Sequence, residues 1–171
     1  MKFKFLLLSL FLFQFVSSQS KPNNNLKEIN RNGYKIFYSP DLRLDESGRN
    51  GTEFYLFSPK ENQEDNFTEN INLTIQNLET LDIDLNKFVE ISEEQINTYG
   101  KLIESKRNKT GQNEFHLFIY EAKMNGFELK FLQYDFVKNN KAYILTYTGK
   151  KDDFKKFQNQ MEKIMQSFKV I

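Results

Sequence analysis

Three strand-like runs follow one another late in the chain, Glu114–Tyr120, Phe127–Val137 and Ala142–Thr148, and the dipeptides Asn125-Gly126 and Asn139-Asn140 stand between them. Asn and Gly tolerate positive φ, so Asn-Gly between alternating apolar runs closes a tight hairpin. Links this short force neighbouring strands to pair antiparallel, because a parallel pair needs a crossover of a dozen or more residues. The spacing therefore predicts an antiparallel meander, and the rest of the chain must pack on that sheet.

The earlier segments extend the same pattern. Tyr34, Ile36 and Tyr38 alternate with Lys35 and Phe37 until Ser39-Pro40 ends the run, since proline cannot donate to a ladder. Asp45 to Gly51 is a turn by its Gly and Asn content. Thr52 to Ser58 is a second strand, again ended by a proline, and Lys60 to Thr68 is a polar loop. Asn70 to Leu78 places Ile71, Leu73 and Ile75 on one face and Asn72, Thr74 and Gln76 on the other, which is the period of a half-buried strand.

Two segments carry helical spacing instead. Asp84 offers an N-cap, and Leu85, Phe88, Val89, Ile96, Tyr99 and Ile103 follow at that spacing, with Gly100 weakening the last turns. Lys106 to Asn113 is a polar stretch. Phe154, Phe157, Met161, Ile164, Met165 and Phe168 recur at i, i+3 and i+4, the clearest amphipathic helix in the chain. Asp152-Asp153 stand at its start, where the helix dipole favours negative charge. The order predicts an α+β fold, an antiparallel sheet with helices packed on it.

The N-terminus is a different kind of segment. Lys2 and Lys4 precede an apolar run from Phe5 to Val16, and Ser17 and Ser18 follow, which is the build of a secretory signal peptide. The run is about a dozen residues, short of the roughly 20 that span a bilayer. Val16 and Ser18 suit cleavage before Gln19. The expected organisation is a leader at 1–18, a flexible Asn-rich lead at 19–32, and a single domain at 33–171. The domain is expected in the periplasm or outside the cell, with no transmembrane segment after the leader is removed. The chain has no Cys, so no disulfide supports the core, and no lipid-bearing Cys follows the leader. Its 24 basic and 23 acidic residues nearly cancel, which leaves no basic footprint for a nucleic acid. The Lys, Asn, Ile and Phe bias fits an AT-rich bacterial genome.

Chemistry-bearing patterns are sparse. Asp82, Asp84, Asn86, Glu90 and Glu93 have the spacing of a calcium loop, but Lys87 stands where the sharp turn needs Gly. A capped helix start accounts for the same residues, and a metal near Asp82, Asp84 and Asn86 is left open. His116 is the only histidine and reads as a surface or rim residue, with no second His and no Cys to share a metal. Gly-x-Ser-x-Gly and Gly-rich phosphate loops are absent from the sequence. Adjacent carboxylates such as Glu93-Glu94 point apart rather than into one site. No catalytic, cofactor or metal residue is therefore assigned. The many aromatics read as core, with an apolar ligand groove as the rival reading. Asn50, Asn66, Asn72 and Asn108 begin glycosylation sequons, which chance explains in so Asn-rich a chain. Lys150, Lys151, Lys155 and Lys156 form a small basic patch, read as a solvated helix face.

Four segments resemble the PsbP-like superfamily, which includes DcrB-type bacterial envelope proteins and Mog-type Ran-binding proteins. They are Gly33 to Pro40, the Glu69-Asn70-Ile71-Asn72-Leu73 strand start, Lys141 to Thr148, and Ile164-Met165-Gln166-Ser167-Phe168 at the close. The resemblance implies an α-β-α sandwich, no shared enzymatic activity, and a role in binding other proteins or supporting membrane complexes. Many members carry Trp soon after the proline; here Asp41-Leu42 follows and the chain has no Trp. The export signal argues against Ran binding, and no residue of a photosystem role is matched. The expectation is an exported, non-catalytic binding or accessory protein of the bacterial cell envelope, with a protein partner. A small apolar-ligand carrier and a carboxylate-based hydrolase are the alternatives. Partner, ligand and oligomeric state are not fixed by the sequence.

Overall fold

The structure, a computed structural model, describes residues 25–171 apart from residue 112. The leader and the first part of the lead lie outside the described residues. Lys27–Arg31, read from the sequence as part of a flexible lead, forms strand β1 and buries Ile29 completely. β1 pairs antiparallel with β2 (Tyr34–Tyr38), and the closing strand of the chain, β10 (Lys169–Val170), pairs with the other side of β2. One apolar residue among four polar ones gives no period, so the sequence alone could not show that β1 would be held by a partner strand.

The main sheet has seven strands, all neighbours antiparallel. β3 (Arg43–Asp45), β4 (Thr52–Phe57) and β5 (Asn70–Asn77) precede helix α1 (Leu85–Tyr99). β6 (Gly100–Thr110), β7 (Asn113–Met124), β8 (Phe127–Lys138) and β9 (Lys141–Lys150) follow, and helix α2 (Phe154–Gln166) comes next. The spatial order is β3-β4-β5-β9-β8-β7-β6. The predicted meander is present, and its two hairpins turn on Asn125-Gly126 and Asn139-Asn140, all four residues at positive φ.

Two elements depart from the sequence reading. The apolar spacing predicts a helix running on towards Ile103 and a polar stretch from Lys106 to Asn113 beyond it. Instead the chain leaves α1 at Tyr99 and enters β6 directly, and the polar residues up to Thr110 belong to an eleven-residue edge strand. The reason is at Gly100. Its backbone passes so close to β7 that a Cβ there would lie 2.4 Å from the Glu121 carbonyl oxygen. Only glycine allows that approach. Charged side chains suit an edge strand, where they discourage pairing with other chains, so β6 carries little apolar signal.

The two sheet faces are covered differently. β5 and β6 run the same way with three strands between them, so α1 must carry the chain across one face, over β6, β7 and β8. The small sheet and α2 cover the opposite face. There Phe168 sits among Tyr34, Phe136 and Tyr143, with ring centroids 5.9, 5.2 and 6.4 Å away. Tyr147 donates to the Phe154 carbonyl across 3.0 Å, fixing the start of α2. Six consecutive residues of β8, Phe131 to Phe136, are buried because both faces of that strand are covered. The fold is thus α+β, with two helices on opposite faces of an antiparallel sheet.

Candidate functional site

The face under α1 is the unusual one. The helix buries only Phe88, Ser92 and Ile96, one residue per turn, so it rests on a narrow stripe whose centre is a serine. Asp84 caps its first turn, its Oδ1 accepting from the Lys87 N–H at 2.8 Å, which settles the acidic run as a helix start. Asn86 is engaged by Arg107 of β6. Among the described residues no group of three His, Cys, Asp or Glu side chains is placed to hold a metal ion.

Below the serine lies Asp135, fully buried on β8. Ser92 Oγ donates to its Oδ2 at 3.0 Å, and Gln133 Nε2 donates to its Oδ1 at 2.9 Å. Tyr120 on β7 donates to Gln133 Oε1 at 3.0 Å. The four groups form a chain from Tyr120 through Gln133 and Asp135 to Ser92, linking β7, β8 and α1. Burial pushes the Asp135 carboxyl up to about 7, while the Gln133 and Ser92 hydrogen bonds pull the other way. Burial also raises the Tyr120 hydroxyl, and the Asp135 charge adds to it.

His116 faces Asp135 directly across the β7–β8 ladder. It is only 8% exposed, so the rim reading is corrected: the imidazole is an interior group. Its Nε2 lies 2.7 Å from Ser105 Oγ, and Ser105 in turn donates to Glu93 of α1. The serine hydrogen is spent on Glu93, so Nε2 carries the ring proton and donates to Ser105. Nδ1 is then a bare lone pair, buried and without a partner among the described residues. Burial lowers the histidine pKa, Arg107 lowers it further, and Glu93 opposes both. A nucleophilic relay needs the reverse arrangement, with the carboxylate on the imidazole and the imidazole accepting from the serine. Here the carboxylate holds the serine, and the set clasps α1 to β6 and β7.

Beside this polar seam α1 and the sheet enclose a cleft of 420 Å³. Phe88, Ile91 and Ile96 of α1 form one wall; Tyr120, Phe131 and Ile144 of the sheet form the other, with Gln133 and Ser92 between them. Tyr120 and Phe131 stack with centroids 4.5 Å apart and ring planes 9° apart. Tyr99 and Met124 stand at the mouth, 79% and 51% exposed. The volume lies within the range of small-molecule sites.

Sequence reasoning assigns no site residue, and it passes over Gln133, Asp135 and Ser92. The signal is present. Gln133 and Asp135 occupy successive inward positions of a strand whose neighbours Phe131 and Val137 are apolar, and Ser92 stands midway between Phe88 and Ile96. Three of the four lysines in the basic patch are paired: Lys150 lies 3.6 Å from Asp65, Lys151 lies 2.6 Å from Glu121, and Lys156 meets Glu61.

No protein-family model matches the sequence, and no curated protein matches it. Solved structures match the fold. The solution structure of cyanobacterial PsbP from Synechocystis superposes with a TM-score of 0.60 at 13% identity, covering 92% of this chain and 99% of its own. LpqN, involved in cell envelope biogenesis of Mycobacterium tuberculosis, gives 0.62 at 14% identity, covering 86% and 92%. A Pseudomonas aeruginosa protein of unknown function gives 0.59 at 12% identity, covering 84% and 95%. At these identities the likeness is one of fold, and it is the sandwich that the resemblance in the sequence implied.

Proposed function

We propose that this PsbP-like α-β-α sandwich is an exported accessory protein of the cell envelope that holds a small apolar ligand in the cleft between α1 and the sheet, without covalent chemistry. The cleft carries the reading. One face of the sheet is filled by α2, Phe168 and the small sheet, whereas the other holds an open, apolar-walled space of 420 Å³. The leader supports export. No helix among the described residues is long and apolar enough to cross a membrane. The involvement of LpqN in cell envelope biogenesis supports the compartment.

Native mass spectrometry of the leader-free protein, purified from its own envelope without detergent, tests this. A bound species of lipid mass that is released on denaturation is the expected result. Empty protein that also fails to take up an apolar dye would end the proposal. A protein partner is favoured by a separate observation, the exposed Tyr99 and Met124 at the mouth, where a second protein could receive the ligand. Cross-linking from position 99 in envelope extracts should then trap one specific partner, and a diffuse smear would count against that role.

A further inference from the structure

We infer that the ligand of the α1 cleft is an uncharged amphiphile whose inner end carries a hydroxyl or a carboxamide, bound by Gln133 and Tyr120. This rests on the reading that the cleft takes an apolar ligand, and it adds what the ligand's polar group must be.

Charge is the first argument. Among the described residues that line the cleft there is no Lys, Arg, His, Asp or Glu; its polar members are glutamines, one serine and tyrosines. Behind the wall lies the carboxyl of Asp135, fully buried and bonded to Gln133 and Ser92. A carboxylate or sulfate drawn inside would lose its water, meet no cation, and approach a carboxyl that is negative when ionised. A quaternary ammonium would also lose its water, and both Asp135 oxygens are already engaged by Gln133 and Ser92.

Hydrogen-bond accounting is the second. Gln133 gives one amide hydrogen to Asp135 and keeps one; its oxygen takes the Tyr120 hydrogen and keeps a lone pair. The Tyr120 oxygen, its hydrogen spent, can only accept. The floor therefore offers one donor beside two acceptors. An uncharged group that both donates and accepts suits this floor. A primary amide can meet all three positions and a hydroxyl the donor and one acceptor, whereas an ionised acid only accepts and leaves both acceptors unmet. The bonds to Asp135 and from Tyr120 hold the Gln133 amide in this orientation before any ligand arrives, and Ser92 in turn holds Asp135.

Four probes with one chain length separate the possibilities: decanol, decanamide, decyl sulfate and decyltrimethylammonium, each far below its micelle concentration. Each is titrated into the full leader-free protein, with methyl NMR shifts of Ile91, Ile96 and Ile144 as the readout. Decanol and decanamide should bind about tenfold or more tightly than either charged probe, a gap of about 1.4 kcal/mol. Ile91→Lys puts one cation on the cleft wall while its stem replaces the isoleucine surface. It should move the ratio of decyl sulfate to decanol affinity about tenfold or more towards the sulfate, and a ratio that stays where it is in the wild type overturns the inference. Equal or tighter binding of either charged probe to the wild type overturns the inference and leaves the cleft reading intact. Four probes that move no cleft methyl overturn both.

Discussion

Replacing Asp135 by asparagine swaps one oxygen for an NH2 group and removes a proton-binding site from the interior. The amide oxygen still accepts from Gln133, and the new N–H donates to Ser92, whose own hydrogen can turn to a carbonyl one helical turn back. In the wild type the folded carboxyl resists ionisation, with a pKa of about 7 against about 3.8 for an ordinary aspartate. Below the unfolded value both states hold the proton and burial of the carboxyl costs nothing in ionisation. As pH rises the unfolded chain ionises first, so wild-type stability falls progressively between about pH 4 and pH 7. From pH 5 to pH 8 the two titration curves diverge by about 2–3 kcal/mol. His116, which faces Asp135 across the ladder, has a lowered pKa and pulls the slope the other way; buried Glu69 is raised by burial and adds to the fall. Both occur in wild type and variant, so the difference between the two proteins isolates Asp135. Urea unfolding at pH 5 and pH 8 measures it. The Asp135→Asn variant should gain about 2–3 kcal/mol relative to wild type over that interval. A difference that stays flat, or grows in the acid direction, refutes the claim that this carboxyl is a desolvated interior group.

Three further outcomes follow from the packing. Gly100→Ala should lose about 1–3 kcal/mol in urea unfolding, because its Cβ meets the Glu121 carbonyl oxygen at 2.4 Å and either α1 or β7 must shift. Phe168→Ala empties the contact shared by Tyr34, Phe136 and Tyr143, and thermal unfolding should report a loss of about 3–5 kcal/mol. Ile29→Ala should cost about 2–5 kcal/mol and speed proteolysis of the N-terminal segment, whereas a truly flexible lead would show no change.

What is legible in the sequence, and what it hides, divides along the two sheet faces. The face packed on α2 follows apolar periodicity alone: Ile71 and Leu73 on β5, Tyr143, Leu145 and Tyr147 on β9, Phe154, Met161, Ile164 and Met165 on α2, and Phe168 just past its end all point into one core, and their spacing places them there. Asp84 announces α1, and the Asn-Gly and Asn-Asn turns announce the meander. The other face is held in part by polar side chains, set between Phe88 and Ile96, and polar residues do not announce burial. Ser92, Gln133 and Asp135 look like ordinary surface positions until β8 is found to be covered on both sides. β6 is hidden because an edge strand is best served by charges. β1 is hidden because Ile29 alone is buried, and its partner β2 is needed to show why. An apolar groove is only the rival reading of the aromatics, and its place cannot be read, since it depends on α1 crossing the sheet from β5 to β6 and touching it along one stripe.

Methyl NMR of the leader-free protein, with and without decanol, tests the central claim most directly. Binding in the cleft should move Ile91, Ile96, Ile144 and Met124, and leave Ile36, Ile71, Met161 and Met165 on the opposite face where they are. Shifts confined to the α2 side would contradict the account, and so would a spectrum that decanol leaves unchanged.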